Sequence, residues 1–394
     1  MVIRSLAAAL LLLCACEPAT QPTGSSLPVA MTRPAASPST ASPVTSAARG
    51  PSLGALLARP AGTPAEEGSY YVSVIGDDGR VVASVKAREP SAGAGSFLPK
   101  VSATPRGVYY LDGDAQVKLL RLDGTSTTVR LVPGSRSDRV IFAISPDDEW
   151  IAFSVISYGP TDPTCTVSCG PSWTWKSYVE RLTVPSDRVE LAAALRELNF
   201  AFAYPVGWRR GMVVLADGYP WIQNAGYVNP YAARERYALV DPKADRVTQR
   251  IGRPAGECTS TGPLVPAGTA CLGSRSVSYW TWDGTLQTLV ADGAVLYDVT
   301  QYMYPAALSP NGRFVAVALA TSGRIVLPPS PARLPDDVIG SPIGWLDDTH
   351  LVFADRGGAM KLFDTARRSV SPLALTGESL APYGTFLAGL AGLD

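Results

Sequence analysis

The stretch "AISPDDEWIAFSV" at residues 143–155 has a close second copy, "ALSPNGRFVAVAL", at residues 307–319. Both copies run from small and apolar residues through Ser-Pro and an acid or amide to an aromatic residue and an apolar run. Proline presets the backbone for a tight turn, and Asp or Asn suits the next corner. We interpret each copy as the end of one strand, a turn and the start of a second strand. On this interpretation Asp147, Asp148 and Glu149 form a solvated turn and not a catalytic cluster.

Looser copies of this element recur along the chain and divide it into seven units. Asp-Gly pairs separate short β-rich runs within the units, which is a strong hairpin signal because glycine accepts the positive φ of tight turns. The units span residues 68–92, 97–135, 138–192, 201–252, 257–294, 303–338 and 340–376. Repeats of about this length with four short strands each are typical of a β-propeller, in which neighbouring blades bury one another's faces.

The sequence therefore predicts an all-β fold, a β-propeller of about seven four-stranded blades, with six or eight blades as alternatives. A pair of two-sheet β-sandwiches is the other fold that the pattern allows. The first unit shows only two clear strands. Because a ring of blades must close, we expect a C-terminal strand, such as residues 383–390, to complete that unit.

A known family shares the sharpest repeat. The Ser-Pro-Asp/Asn-Gly/Asp-x-aromatic-apolar element, "SPDDEWIAFS" and "SPNGRFVAVA", resembles the repeat of TolB-like, WD-repeat-like bacterial propellers. The resemblance covers most of residues 68–376, although only two copies are sharp. It implies the propeller fold and leaves the function open, since propellers serve both as binding proteins and as enzymes.

The N-terminus, "MVIRSLAAALLLLCAC", resembles a bacterial lipoprotein signal. Arg4 supplies a positive n-region, and the apolar run at residues 6–13 is too short to span a membrane as a helix. Cys16 follows the small residue Ala15, so we expect residues 1–15 to be removed and Cys16 to carry lipid. An ordinary signal peptide that is cut nearby is the alternative. The sequence thus predicts an extracytoplasmic lipoprotein that is anchored to the bacterial cell membrane.

The residues that follow Cys16 differ in composition from the rest of the chain. They are rich in Pro, Ser, Thr and Ala and contain few residues that are apolar enough to bury. Such a composition does not offset the entropy cost of ordering the chain. We therefore predict a disordered stalk that includes the lipidated cysteine over residues 16–66, and the propeller domain over residues 67–394.

Four cysteines remain once the two of the signal region are set aside. An exported compartment favours disulfides, and four cysteines allow three pairings. We favour the local pairs Cys165–Cys169 and Cys258–Cys271, because each closes a short loop. A four-cysteine metal site is the alternative, but the paired CxxC spacing of structural zinc sites is absent.

Charge and motifs exclude several classes of function. The chain has 34 Lys+Arg and 34 Asp+Glu, whereas a nucleic-acid partner calls for a clustered basic surface. The single histidine, His350, excludes a metal site built from several histidines, and its place at a turn–strand junction favours a structural or surface role. The sequence shows no Gly-rich phosphate loop, GxSxG elbow or EF-hand loop. It therefore predicts no catalytic residue, no metal and no cofactor.

Two insertions interrupt the repeat, at residues 157–178 and 217–237. Loops on a rigid scaffold often carry binding, and Tyr and Trp bring large contact areas. Seven aromatic residues of these insertions form the candidate binding surface: Trp173, Trp175, Tyr178, Tyr219, Trp221, Tyr227 and Tyr231. The alternative is that the rings pack the long loops onto the blades. A helix is predicted over residues 186–198, with Ser186 or Asp187 as its cap, bridging the third and fourth units.

These observations predict a membrane-anchored, extracytoplasmic, non-catalytic module that binds or scaffolds a protein, a peptide or an envelope polymer. The alternative is an extracellular propeller enzyme, such as a lyase, hydrolase or lactonase, with a carboxylate-lined or metal-bearing central channel. Converging carboxylates in the central channel would favour the enzyme. A third possibility is a purely structural domain in a multiprotein complex.

Overall fold

The structure is a computed structural model of the 394-residue chain. It describes residues 53–60, 68–90, 101–161, 171–198, 203–217, 236–252, 259–260, 263–273, 276–290, 306–319, 322–330, 332–373, 375, 380–389 and 393. Residues 1–48 and 49–394 separate into two units, and the first unit lies outside the described residues. Seven small antiparallel sheets form a ring in the second unit, so the predicted seven-bladed β-propeller is confirmed.

The first three blades open the ring. Blade 1 begins with β1 (Leu53–Pro60), β2 (Ser69–Gly76) and β3 (Val81–Arg88). Blade 2 contains β4 (Val101–Thr104), β5 (Gly107–Asp112), β6 (Gln116–Arg121) and β7 (Ser126–Leu131). Blade 3 contains β8 (Asp138–Ile144), β9 (Trp150–Thr161), β10 (Pro171–Arg181) and β11 (Val189–Glu190).

Blades 4 and 5 follow a short helical connection. A 3-10 turn (Pro185–Asp187) and helix α1 (Ala192–Leu198) flank β11. Blade 4 contains β12 (Ala203–Arg209), β13 (Met212–Asp217), β14 (Tyr237–Asp241) and β15 (Arg246–Ile251). Blade 5 contains β16 (Thr259–Ser260), β17 (Thr269–Leu272), β18 (Val277–Trp280) and β19 (Leu286–Val290).

The last strands complete the ring. Blade 6 contains β20 (Ala307–Leu308), β21 (Val315–Ala318) and β22 (Ile325–Val326). Blade 7 contains β23 (Ser341–Trp345), β24 (His350–Ala354), β25 (Met360–Asp364) and β26 (Ser369–Pro372). The final strand is β27 (Leu380–Gly389). Blade 6 thus has three strands within the described residues, and a single bridge from Arg324 to Ile339 lies at its outer side.

Strand β27 closes the ring as the sequence predicts. The sheet order of blade 1 is β27-β1-β2-β3, so the two-stranded first unit is completed by the C-terminal strand. Its other new member, β1, lies inside the range 16–66 that composition assigns to the stalk. The run "LGALLARP" pairs with β2 from Leu53 to Ala58. Strand β1 therefore precedes the predicted boundary at residue 67, and its apolar residues stand within a Pro-rich segment.

The two sharp repeats have the same hydrogen bonds. The Ser145 hydroxyl accepts the Trp150 N–H at 2.9 Å, and the Ser309 hydroxyl accepts the Phe314 N–H at 3.0 Å. Each serine hydroxyl also donates to the acid or amide two residues later. Both serines are buried. The Ser-Pro element is thus a closed turn between a blade's first and second strands, and matching hydrogen bonds confirm the repeat.

Two buried tryptophans link neighbouring blades to these turns. The Trp208 indole N–H of blade 4 donates to the Ala143 carbonyl of blade 3 at 3.0 Å. The Trp345 indole N–H of blade 7 donates to the Ala307 carbonyl of blade 6 at 2.9 Å. Each acceptor lies two residues before the serine of the turn. The Gly-Trp and Ser-Pro elements therefore form one interblade contact, which occurs at two places in the ring.

Helix α1 is shorter than predicted and has a different cap. The Asp245 carboxylate of blade 4 accepts the N–H groups of Ala193 and Ala194 at 2.7 and 3.0 Å. The helix therefore begins at Ala192 and not near residue 186, because its cap comes from a distant turn and not from the preceding residues. Its buried residues pack between blades 3 and 4, so the predicted bridge between these units is confirmed.

Candidate functional site

Several of the predicted site residues lie outside the described residues. They are Cys16, Cys165, Cys169, Tyr219, Trp221, Tyr227, Tyr231 and Cys258. Cys271 lies in β17, where it is fully buried and disulfide-bonded. Because Cys258 is not described, its pairing with Cys271 stays a prediction, as does the pair Cys165–Cys169. Trp173 is placed by its backbone alone, in β10 opposite Tyr158.

The two described aromatic side chains of the candidate surface pack against the blades. Trp175 is half-buried against the main apolar core. The Tyr178 ring centroid lies 5.4 Å from that of Phe153, and the Arg188 guanidinium lies over both rings. For these two residues the structure favours packing over an open binding surface. The first insertion is largely an extension of blade 3, whose second and third strands have 12 and 11 residues.

Strand directions place the loops of blades 3 and 4 on two faces. The first strands of the two blades, β8 and β12, contact each other and so lie innermost in the ring. We call the face with the turns after the first and third strands the groove face. The second strands of the two blades, β9 and β13, end on the opposite face, where the third strands begin. A cavity of about 680 Å³ opens on the groove face.

This cavity lies between blades 3 and 4, and we call it the interblade groove. Its lining residues are Ser145, Pro146, Asp147, Glu149, Trp150, Val179, Asp187, Arg188, Val189, Trp208, Gly211, Pro242 and Lys243. Val179, Trp208 and Pro242 are buried, and Trp150 is half-buried. The volume lies within the usual range of ligand pockets, about 300–1,000 Å³. The Ser-Pro turn of blade 3 thus forms one wall of a concave apolar site.

Charged side chains surround the apolar floor. Asp147 and Glu149 are exposed on the blade 3 wall, and Lys243 is exposed on the blade 4 wall. Within the described residues, Glu149 and Lys243 take part in no ion pair. The Arg181 guanidinium lies 5.1 Å from the centroid of the Trp150 ring. Blade 3 therefore contributes carboxylates together with the Arg188 guanidinium, and blade 4 contributes an ammonium group.

A buried ion cluster supports the blade 3 side of the groove. Glu180 is fully buried and accepts hydrogen bonds from Arg130 of blade 2 and from Arg188 beside the groove. The Arg188 bond is 2.8 Å long. Arg188 is therefore committed to Glu180 and to the two rings beneath it, and its role in the groove is to hold the wall.

His350 lies far along the ring from this groove, at the start of β24 in blade 7. Its Nδ1 lies 2.8 Å from the Asp347 carboxylate, and its Nε2 lies 3.7 Å from that of Asp364. The hydrogen bond with Asp347 raises the pKa of His350, and burial opposes that shift. Asp364 and Asp77 add to the rise in pKa by their charge. The geometry is that of a blade-stabilising ion cluster, in line with the structural role expected from the sequence.

Within the part of the chain that the structure describes, no three His, Cys, Asp or Glu side chains lie together as a set of metal ligands. None of the described helices has the length and apolar character needed to cross a membrane. Neither finding tests the enzyme alternative or the predicted lipid anchor, which both stay predictions.

The interblade groove is the feature that sequence reasoning missed. The sequence points to the aromatic insertions, whereas the groove lies beside the Ser-Pro turn of blade 3. The signal was present in the repeat itself, because the aromatic position after the Ser-Pro turn is Trp150 in one copy and Phe314 in the other. Helix α1, which packs between blades 3 and 4, makes the environment of Trp150 differ from that of Phe314.

Comparisons with known proteins assign no family. No family model matches the chain, and no curated protein matches it. Among solved structures, an acylaminoacyl peptidase in complex with Z-Gly-Gly-Phe-chloromethyl ketone matches with a TM-score of 0.46, 11% identity, and coverage of 82% of this chain and 52% of that chain. Uncomplexed Pyrococcus horikoshii acylaminoacyl peptidase matches with a TM-score of 0.45, 11% identity, and coverage of 77% of this chain and 48% of that chain. Kuenenia stuttgartiensis hydrazine synthase matches with a TM-score of 0.40, 11% identity, and coverage of 77% of this chain and 94% of that chain. The chain spans about half the length of the two peptidases, and similarity at this level assigns no function.

Proposed function

We propose that the chain is a lipid-anchored, extracytoplasmic binding module that holds a segment of a partner protein in the interblade groove. The groove carries this proposal, because it combines a half-buried tryptophan, an apolar floor and charges on both walls. Tryptophan is enriched among the residues that dominate binding energy at interfaces. A rigid ring of blades holds the groove's walls in place, so binding requires little reordering of the chain.

The binding part of the proposal is tested with two variants at the same repeat position. Trp150→Ala removes the aromatic ring from the groove, whereas Phe314→Ala removes the corresponding ring from blade 6. Both rings follow a Ser-Pro turn, so the structural cost of the two changes is similar. We expect the full-length Phe314→Ala protein to retain a partner after mild crosslinking in envelope membranes, and the Trp150→Ala protein to lose it. Equal retention by both variants would contradict the proposal.

The anchor rests on the lipoprotein-like signal that ends at Cys16 and on the Pro-rich segment that follows it. Lipidation at a single cysteine would tether the chain from outside the cytoplasm. In cell fractionation, we expect the wild-type chain in the membrane fraction and the Cys16→Ser variant in the soluble fraction. A variant that stays fully membrane-bound would refute the anchor without affecting the groove.

A further inference from the structure

We propose that the interblade groove recognises an extended, proline-rich segment of a partner protein that carries an arginine. This inference rests on the proposed binding function and names the chemical class of the partner. It follows from three properties of the groove: the state of its backbone N–H groups, its rings, and the position of its carboxylates.

The backbone of the groove walls has little to offer a partner strand. Adding a strand to a sheet edge requires unpaired main-chain groups on that edge. Many of the N–H groups along the walls instead donate within their own turns, among them those of Ser145, Asp148, Glu149, Trp150 and Lys243. Recognition at these two turns therefore relies on side chains. A proline-rich segment suits this condition, since proline has no N–H and polyproline II has no internal hydrogen bonds.

The floor of the groove matches the shape of such a segment. Pro146, Trp150 and Pro242 contribute three rigid rings to the lining, and Val179 and Trp208 add buried apolar surface. Grooves lined by aromatic rings bind proline-rich segments because the preformed helix loses little entropy on binding. The Trp208 indole N–H is already bonded to Ala143, so Trp208 adds apolar surface and not a donor.

The carboxylates select the charge of the partner. Asp147 and Glu149 both belong to the Ser-Pro turn. Glu149 directly precedes Trp150, and Asp147 lies three residues before it. Glu149 has no ion pair within the described residues and is exposed. An arginine guanidinium binds a carboxylate through two parallel N–H groups and packs its plane against rings, which a lysine does not do. Lys243 on the other wall disfavours a second cation there, which fixes the direction of the segment.

Calorimetric titration of the full-length chain with synthetic peptides tests this proposal. The probe is a ten-residue proline-rich peptide with one central arginine, and two companions replace either the arginine by glutamate or every proline by alanine. We expect the arginine peptide to bind at least about tenfold more tightly than each companion, since a glutamate would face like charge at Asp147 and Glu149 and alanines would lose the preorganised conformation.

Two charge-reversal variants locate the contact. Glu149→Lys changes the groove wall, and the control Glu190→Lys makes the same change at an exposed carboxylate outside the lining, whose pair with Lys176 is 3.9 Å long. We expect Glu149→Lys to weaken the arginine peptide at least about tenfold and Glu190→Lys to leave it unchanged. Equal affinity for the arginine and glutamate peptides, equal loss in both variants, or no binding of the arginine peptide would overturn the inference. If a partner still depends on Trp150 while this peptide fails to bind, the proposed function stands and this inference alone is wrong.

Discussion

The interblade hydrogen bonds of Trp208 and Trp345 allow a quantitative prediction. Both indoles are 3% exposed, and each donates to a buried alanine carbonyl in the preceding blade. Replacing either residue by phenylalanine keeps an aromatic ring and removes the donor. Each carbonyl also accepts a ladder bond from the next strand of its own blade, so the change removes one buried hydrogen bond, which contributes about 0.5–1.5 kcal/mol. The smaller ring loses about 1 kcal/mol of apolar burial. We expect Trp208→Phe and Trp345→Phe each to lower the free energy of unfolding by about 1.5–2.5 kcal/mol.

Urea denaturation followed by circular dichroism measures these changes. Trp280→Phe is the matched control, since Trp280 is 7% exposed and its indole has no hydrogen bond among the described residues. That variant loses ring area alone, and we expect it to cost only about 1 kcal/mol. If Trp208→Phe and Trp345→Phe destabilise the protein no more than Trp280→Phe does, the indole bonds do not stabilise the contact between blades.

Three further predictions concern turns, buried charge and pH. Gly312→Ala should destabilise the protein by about 1–2 kcal/mol, because φ is +73° and a Cβ would lie 3.0 Å from the Tyr279 hydroxyl. Gly124→Ala should cost less in the same denaturation assay, because φ is +84° but no atom lies within 4 Å of the added Cβ. Glu180→Gln removes the buried carboxylate that pairs with Arg130 and Arg188, and it should cost about 3–5 kcal/mol, measured by the denaturation midpoint. The raised pKa of His350 means that the folded chain holds this proton more tightly than the unfolded chain. The protonated ring therefore stabilises the folded chain fully below about pH 6.5, and this stabilisation is lost as pH rises through the folded pKa. His350→Gln should abolish this part of the pH dependence of stability, and an unchanged profile would show that another group causes it.

Much of the fold can be predicted from the sequence, because the residues that form each turn recur in the same order in different blades. Ser145 and Ser309 form the same closed turn, so two matching stretches correctly identify two blades. The closing strand β27 follows from the need to complete a ring. Strand β1 could not be recognised in the same way, because it lies in a Pro-rich context and gains its stability from pairing with β2 and β27.

The groove could not be predicted, because it depends on contacts between elements that are distant in sequence. Asp245 caps helix α1 from a turn of blade 4, and this contact helps to fix the helix between the two blades. Local sequence around residue 186 suggests a different cap. The aromatic residues of the insertions interrupt the repeat, which marks them as candidates. Trp150 occupies a regular position of the repeat, so the sequence alone gives it no special role.

The central claim, that the interblade groove is the binding site, is tested most directly by site-specific photocrosslinking in intact cells. A photoreactive phenylalanine is placed at Lys243, in the groove, or at Arg367, which is exposed in blade 7 and outside the groove. We predict that irradiation yields a discrete crosslinked partner from position 243 and none from position 367. The same partner from both positions, or from position 367 alone, would contradict the claim.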